Sequence, residues 1–214
     1  MSSQPSPARL SGRRAQAARN DERILESARA VFVADPAAPI SAVAKHAGVG
    51  ISALYSRYAS KEELLRKLCG DGLQRFIDEV EAALADDRDP WTVFAEFMRR
   101  AVDADTNSLT AALAGTFTPS ADMFAEAGRS AQLLEALFRR TVDAGVLRPD
   151  LAVHDLSYIF QQLAAVRADE PERTVQLRRR YLALFLDGIH EPPRHEPLPG
   201  PAPAWQEISA RWRT

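Results

Sequence analysis

The chain has only one cysteine and no long hydrophobic run, and these two features limit the class of protein it can be. With Cys69 alone it cannot form an internal disulfide, which fits a reducing compartment. No apolar run approaches the roughly 20 residues that a membrane-spanning helix needs. The N-terminal residues also lack the apolar segment of a signal peptide. We therefore expect a cytoplasmic protein without a membrane span.

The residue patterns of metal sites and of common enzymes are also missing. The four histidines do not stand at metal-ligand spacing with acidic residues or with Cys69, and two of them, His190 and His195, are separated by prolines. Neither a phosphate-binding glycine loop nor a nucleophile elbow is present. We expect no metal, no cofactor and no enzymatic activity, and we interpret Cys69 as a small core residue.

Lysine is scarce and unevenly placed, because all three lysines lie within the first 70 residues. Residues 1–70 hold 11 Lys and Arg against 6 Asp and Glu, a net charge of +5. Residues 71–214 hold 16 Arg against 23 Asp and Glu, a net charge of −7. A basic module followed by an acidic one indicates an anionic partner for the first module. Chance asymmetry on solvated faces is the alternative.

Apolar residues recur at helical spacing along the chain, and no segment alternates with the period of a strand, which predicts an all-α fold. The first helix is expected over 20–34, with Asn20 or Asp21 as its cap. Pro36 and Pro39 end it. The basic residues before it form either an arm or the start of this helix.

Residues 40–58 carry the strongest local signal. They predict two short helices, the first capped by Ser41 and the second covering 51–58, joined by a turn at 48–50. Gly48 is expected at positive φ, which a side chain would resist. Two short helices at this spacing are typical of a helix-turn-helix DNA reader.

The next helix is predicted to open with a capping box, in which Ser60 caps the backbone of Glu63 and Glu63 reaches back. Leu54 and Tyr58 are expected to point inward. After Pro90 the pattern stays helical to residue 190. The expected helices cover about 90–104, 107–116, 121–145, 152–168 and 172–189.

We expect four regions along the chain. They are a flexible basic arm (1–19), a DNA-binding domain (20–66), a helical effector-binding and dimerisation domain (67–190), and a proline-rich linker with a short C-terminal helix (191–214). Trp205, Ile208 and Trp212 fall at helical spacing, so we expect the tail to fold back onto the helical domain or a partner subunit. Arg178-Arg179-Arg180 is interpreted as a solvated face.

Residues 20–69 resemble the N-terminal domain of TetR-family transcriptional regulators. The resemblance rests on Arg23–Phe32, Val43–Val49, Leu54-Tyr55 and Ser60–Leu64 taken together. It implies a three-helix helix-turn-helix domain followed by a helical ligand-binding domain. It also implies a homodimer through helices near 152–168 and 172–189, and a small molecule that changes the separation of the two DNA-reading heads and releases them from double-stranded operator DNA.

The second short helix offers small and hydrogen-bonding groups to base edges, as a helix in the major groove needs. The resemblance implies that Tyr55 and Lys61 touch the DNA backbone, and Arg57 is expected at a phosphate or a guanine edge. Many relatives have Ser at Gly50 and Gly-Thr at Ser52-Ala53. The full DNA-binding set that we predict is Ser41, Gly50, Ile51, Ser52, Ala53, Tyr55, Arg57 and Lys61.

Aromatic and polar residues of the second domain are candidates for an effector pocket, since such sites are mostly apolar with a few placed polar groups. The ligand-binding set that we predict is Phe94, Met98, Phe117, Phe124, Phe138, Tyr158 and Gln162, with Met123, His154 and Gln161 beside it. The same residues make a good core, and Tyr158 and Gln162 fit a dimer interface equally well.

The function predicted from the sequence is a DNA-binding repressor that a small-molecule effector releases from a palindromic operator. The alternative is a helical module that binds proteins rather than DNA. Salt dependence distinguishes them, because phosphate contacts release counterions and weaken steeply with salt.

Overall fold

The computed structural model describes residues 7–105, 109, 112–190 and 197–209, with side chains from residue 19 onward. Within these ranges the protein is built of α-helices. Their one β-type pairing is an isolated antiparallel bridge between Leu147 and His190. The predicted all-α class is confirmed. No helix within the described ranges is long and apolar enough to cross a membrane.

The helices agree closely with the predicted ones beyond residue 90. They are α1 (Pro7–Ala34), α2 (Ile40–Ala47), α3 (Ile51–Arg57), α4 (Lys61–Leu84), α5 (Pro90–Asp103), α6 (Ala121–Asp143), α7 (Val153–Ala165), α8 (Pro171–Ile189) and α9 (Trp205–Ser209). The helix predicted over 107–116 lies partly outside the described residues. Of its described residues, Leu109, Ala112 and Leu113 are helical.

The first helix begins earlier than predicted. α1 starts at Pro7 rather than near Asn20, so the described part of the expected arm, residues 7–19, is helical. Proline at the first helical position is favourable because its missing N–H has no partner there in any helix. The Ala, Arg and Gln residues that follow favour a helix strongly, whereas Gly12 costs about 1 kcal/mol. Asn20 and Asp21 therefore lie inside α1, and the expected cap there is wrong.

The chain divides into two compact units, one ending at Leu68 and the other beginning at Cys69. We call them the N-terminal unit and the C-terminal unit. The boundary predicted at residues 66 and 67 lies just before this division. α4 contains residues of both units.

Each helix of the N-terminal unit contributes apolar side chains to its core. Ile24 and Phe32 of α1, Val43 of α2, Leu54 of α3 and Leu64 of α4 are all buried. Burying a side chain of this size contributes about 1.5–3 kcal/mol each. Because α2 and α3 are too short to be stable alone, this packing holds them in place.

The turn between α2 and α3 depends on one glycine. Gly48 has φ +64°, as predicted, and a side chain there would be strained. The Arg23 guanidinium donates to the carbonyl of Ala47 at 2.6 Å, which satisfies an end carbonyl of α2. A Cβ at Gly48 would stand 3.3 Å from Nη2 of that arginine. Both the backbone and the packing therefore favour glycine.

The helix caps differ in part from the predictions. α2 begins at Ile40 behind Pro39, with no side-chain cap, so the predicted cap by Ser41 is wrong. The Glu63 N–H donates to Ser60 Oγ at 3.1 Å, which confirms one half of the capping box. The Glu63 carboxylate accepts from the N–H of Ala59 at 2.7 Å, one residue earlier than that motif requires.

The core of the C-terminal unit centres on α5, whose Phe94, Phe97 and Met98 are fully buried. Three aromatic rings from different helices pack edge to face. The ring centroids of Phe76 and Phe97 lie 5.7 Å apart, and each lies 6.0–6.4 Å from Phe160. Such pairs add about 0.5–1.5 kcal/mol beyond the area they bury. They join α4, α5 and α7.

A buried arginine within α8 connects this helix to the C-terminal ends of α5 and α7. Arg178 of α8 is 6% exposed and pairs with Asp105 at 2.7 Å. It also donates to the carbonyls of Ala164 and Val166 at the end of α7. The expectation that Arg178 lies on a solvated face is therefore wrong. Its guanidinium donates to a carboxylate and to two carbonyls at the end of α7.

Candidate functional site

The outer face of α3 is the first candidate site. Ile51 and Tyr55 are 40% and 48% exposed, and Ser52 and Ala53 beside them are also exposed. On the opposite face Leu54 is fully buried, and Tyr58, which caps the helix, is 5% exposed. The predicted inward positions are confirmed. Four of the predicted DNA-binding residues are therefore exposed on a helix that Leu54 and Tyr58 fix in the core.

Arg57, at the end of α3, is engaged within the protein. Its guanidinium donates twice to the Asp21 carboxylate, at 2.9 and 3.0 Å, and the Tyr58 hydroxyl donates to the same carboxylate at 2.7 Å. The bond from Arg57 lowers the pKa of Asp21 below its usual value, against the opposing effect of partial burial, and Tyr58 reinforces it. Asp21 was expected as a helix cap, and its pairing with Arg57 has no local signal in the sequence because the two residues are 36 positions apart.

Lys61, the predicted backbone contact, also has partners within the protein. Its ammonium donates to the carbonyls of Pro36 and Ala38 at 2.9 and 2.8 Å and lies 5.0 Å from the centre of the Phe32 ring. These contacts hold the loop between α1 and α2 against the start of α4. An ammonium group has three N–H donors, and the two carbonyls account for two of them.

Ser41 and Gly50 are exposed at helix starts. Ser41 lies in the first turn of α2, and Gly50 precedes α3 with φ −66°. A Cβ built at Gly50 meets nothing within 4 Å. Nothing inside the protein therefore requires glycine at this position.

The second candidate site is a cavity of about 770 Å³ in the C-terminal unit. Its walls come from α4, α6, α7 and α9, together with Ala114 and Pro119 between α5 and α6. This volume lies within the range of about 300–1,000 Å³ that small-molecule sites occupy. Because protein interiors are close-packed, a space of this size is far larger than the gaps of an ordinary core.

The predicted ligand residues are mostly elsewhere. Phe124 lines the cavity, as do Met123, His154 and Gln161. Phe94, Met98, Phe117 and Phe138 are buried but not in the cavity wall, while Tyr158 is half-buried and Gln162 is exposed. Apolar side chains look alike in sequence whether they fill a core or line a cavity, which explains the difference.

The contribution of α4 to the cavity wall was not predicted from the sequence. Cys69, Gly72, Leu73 and Phe76 line the cavity. Cys69 is 5% exposed, so its interpretation as a buried small residue is confirmed. Gly72 was the available signal for this wall in the sequence, because a glycine leaves open space beside a helix.

The C-terminal segment, residues 197–209, folds back onto the helical unit as predicted. The N–H of Leu198 donates to Asp150 at 2.6 Å, and the Trp205 ring lies 6.3 Å from the His154 ring. Trp205, Ile208 and Ser209 line the cavity. Trp212 lies outside the described residues. The tail thus forms one wall of the second site.

Metal binding finds no geometric support in the part of the chain that is described. Within it, no group of three His, Cys, Asp or Glu side chains is arranged to hold a metal ion.

Two stretches of the chain match known families. Residues 24–68 match the bacterial regulatory proteins of the tetR family. Residues 89–191 match the C-terminal domain of SbtR-like transcriptional regulators. The first stretch contains α2 and α3, and the second contains α5 to α8. No curated protein sequence matches the chain significantly.

Solved structures agree with these matches. The TetR family transcriptional regulator PfmR from Thermus thermophilus is 24% identical, with a TM-score of 0.61, and the alignment covers 77% of this chain and 97% of PfmR. A TetR transcription regulatory protein from Mycobacterium vanbaalenii is 26% identical over 83% of this chain and 98% of its own, with a TM-score of 0.51.

A third structure is that of a regulator bound to a small molecule. The TetR-like regulator LfrR from Mycobacterium smegmatis, solved in complex with proflavine, is 18% identical with a TM-score of 0.57, covering 77% of this chain and 95% of LfrR. This likeness concerns the fold. The two family matches together span well over half of the chain. With its helix-turn-helix unit and its helical second unit, this chain belongs to the TetR family of transcriptional regulators.

Proposed function

We propose that this TetR-family regulator is a repressor that leaves a palindromic operator when a small molecule binds its C-terminal unit. The observation that carries the proposal is the cavity of about 770 Å³ in that unit. A protein that only occupied DNA would gain stability by filling such a space with side chains. The complex of LfrR with proflavine supports a ligand role for a unit of this fold.

In this proposal α3 enters the major groove with its exposed face toward the bases. Ile51 and Ser52 meet base edges in the first turn, and Ala53 offers only apolar contact, for example to a thymine methyl. Gly50 carries no side chain, so the backbone approaches the DNA closely there. Ser41 meets the DNA backbone at the start of α2.

Tyr55 and Lys61 contact phosphates, which fix the position of the protein without reading sequence. The half-exposed Tyr55 presents its hydroxyl from α3. Lys61 has a double role, because two of its donors hold the loop at Pro36 and Ala38 and the third remains for a phosphate. It is thus both a DNA contact and a brace for the DNA-reading unit.

Arg57 reaches DNA only by leaving Asp21. The bidentate pair neutralises this arginine in the free protein. We therefore assign Arg57 mainly to fixing the end of α3 against α1, and we rank it below Tyr55 and Lys61 as a phosphate contact. Asp21 is its positioning residue.

The coupling between the two functions runs along α4. Four cavity-lining residues, Cys69, Gly72, Leu73 and Phe76, belong to the same helix that Lys61 begins. A ligand that contacts these residues favours one position of α4 over another, and differential contact of this kind shifts a conformational equilibrium. Release from the operator follows when the favoured position no longer suits the paired DNA sites.

The protein acts in this proposal as a cytoplasmic homodimer, joined through α7 and α8. On one face of α8, Tyr181 and Leu184 stand three residues apart and are 43% and 59% exposed. Neighbouring exposed apolar side chains are typical of an interaction surface. Two copies related by a two-fold axis place two α3 helices on two half-sites, which accounts for a palindromic operator. No reaction is assigned to the chain.

The test is binding of the purified full-length protein to the DNA that flanks its own gene, measured by fluorescence anisotropy across a salt series. We expect saturable binding whose affinity falls steeply with salt, because several phosphates exchange their counterions for protein. Addition of metabolite extracts fractionated by polarity then identifies fractions that release the DNA. A helical protein-binding module, the alternative, would show no salt-dependent DNA binding, and that result would refute the proposal.

A further inference from the structure

The cavity wall is uneven in chemistry. α7 contributes His154, Ser157 and Gln161, which stand at i, i+3 and i+7 and therefore share one face of the helix. The part of the wall that α4 contributes is mostly apolar, with Leu73 and Phe76. A ligand in this space therefore finds hydrogen-bonding groups on α7 and hydrocarbon on α4.

The wall is also poor in charge. Among the described residues that line the cavity there is no lysine or arginine. Its one carboxylate, Glu135, already pairs with Arg139 at 3.1 Å on the outer surface of α6. Among the described lining residues an anionic ligand would find no ammonium or guanidinium partner and only the His154 imidazole as a basic neighbour, and burying a poorly paired charge is costly. This arrangement selects against carboxylates and phosphates.

Another part of the wall belongs to the C-terminal segment, residues 197–209, whose start is anchored by a hydrogen bond. The N–H of Leu198 donates to Asp150, and Arg148 binds the same carboxylate at 2.6 and 3.0 Å. Beyond this anchor, Trp205 and Ile208 face the cavity. The Trp205 ring remains 43% exposed although it lies against His154. A bound apolar molecule would cover more of this ring and remove it from water.

We propose that the cavity binds a neutral, mainly apolar small molecule whose polar atoms face His154, Ser157 and Gln161 and whose body contacts Trp205 and Ile208. The inference rests on the proposed function only in treating the cavity as the effector site. It adds the class of ligand, and it makes Trp205 a ligand-contacting residue rather than a tail anchor alone.

The ligand class is tested with three probes that share a ten-carbon chain length and differ in head group and charge: decan-1-ol, decanoate and decylammonium. Each is titrated into the full-length protein below its solubility limit or micelle concentration and followed by calorimetry. We expect decan-1-ol to bind at least tenfold more tightly than decanoate and more tightly than decylammonium. Equal or tighter binding of either charged probe, or no binding of decan-1-ol, would overturn the ligand class.

The role of the tail is tested with Trp205→Ala and a matched control, Leu198→Ala. Leu198 is exposed on the same segment, and its side chain is outside the cavity wall. We expect Trp205→Ala to weaken decan-1-ol binding about tenfold, Trp205→Phe to restore most of it, and Leu198→Ala to stay within twofold of the wild type. Wild-type affinity in Trp205→Ala would overturn the role of the tail.

The same samples separate this inference from the proposed repressor function. If decan-1-ol binds as expected while operator affinity is unchanged at saturation, the ligand class stands and effector release fails for this probe. If the protein never binds DNA but the three probes keep the expected order, the repressor proposal fails and the ligand class again stands.

Discussion

The two units present their candidate sites in opposite ways. In the N-terminal unit the proposed DNA-reading residues are exposed on one seven-residue helix, α3, which Leu54 and Tyr58 hold in the core. In the C-terminal unit the proposed ligand surface is the wall of a cavity formed by four helices. On α3 the exposed residues are proposed to bind DNA, while the buried residues stabilise the fold. In the cavity the same side chains would both contact a ligand and contribute to packing.

The largest expected effect tests the separation on α3. Leu54→Ala removes a fully buried side chain, and such a change costs about 2–5 kcal/mol of unfolding free energy. We expect the N-terminal unit to lose its fold and DNA binding with it. Urea denaturation followed by circular dichroism measures the loss. Tyr55→Ala, the neighbouring exposed residue, is the matched control, and an equal loss of stability in both variants would contradict the separation.

The next effect concerns the buried arginine of the C-terminal unit, Arg178. Arg178→Met leaves Asp105 and two carbonyls at the end of α7 without this donor. Breaking a buried pair costs about 3–5 kcal/mol, and because the Asp105 side chain is 33% exposed we expect about 2–3 kcal/mol.

Arg179→Met is the matched control for this pair. The adjacent arginine pairs with Asp103 on the surface, where its side chain is 62% exposed, so the variant should lose little stability. Thermal melting of both variants measures the difference. Equal melting temperatures would show that the buried arginine has no special structural role.

A smaller effect distinguishes the two proposed phosphate contacts. Tyr55→Ala should weaken DNA binding roughly tenfold without changing its salt dependence, because a neutral hydroxyl releases no counterion. Lys61→Ala should weaken binding and also reduce the slope of log affinity against log salt by about 1. It should additionally lower the melting temperature, since the loop at Pro36 and Ala38 loses its brace. An unchanged slope and affinity would remove Lys61 from the interface.

The smallest effect concerns the pair of Asp21 and Arg57. Since folding lowers the pKa of Asp21, this carboxylate stabilises the fold above its ordinary pKa, and the contribution disappears as pH falls through the lowered value. Asp21→Asn should therefore lower the free energy of unfolding by at most about 1 kcal/mol near neutral pH. The effect is small because the Arg57 side of the pair is exposed.

Urea denaturation of wild type and Asp21→Asn, in steps from neutral pH down to about pH 2, measures this difference. The two proteins should converge in acid. The variant should also steepen the salt dependence of DNA binding, because Arg57 is released to meet a phosphate. A stability difference that persists unchanged in acid would show that the pair does not act through charge.

Local patterns allowed much of the N-terminal unit to be predicted. The positive φ of Gly48, the inward Leu54 and Tyr58, and the bond from Glu63 to Ser60 all depend on residues a few positions apart. The outward face of α3 follows from the same helical period. Where local signals conflicted, as at the start of α1, proline at the first position and the helix-forming residues after it prevailed over the expected cap.

Contacts between distant residues were beyond sequence reasoning. Arg178 and Asp105 are 73 residues apart, and the arginine sits in a run that reads as surface. The cavity depends on how α4, α6, α7 and the C-terminal segment pack. Phe94 and Phe124 were therefore equally good candidates from the sequence, and of these two Phe124 lines the cavity. Packing decides this, and one sequence does not display packing.

The central claim is that α3 of paired subunits reads a palindromic operator. It is tested most directly by selecting bound sequences from a random duplex library with the full-length wild type and with a variant carrying Ile51→Ala and Ser52→Ala. We expect a palindromic motif for the wild type and altered preference at symmetry-related positions for the variant, with neighbouring positions unchanged. A motif that is identical in the two proteins, or that lacks two-fold symmetry, would contradict the account.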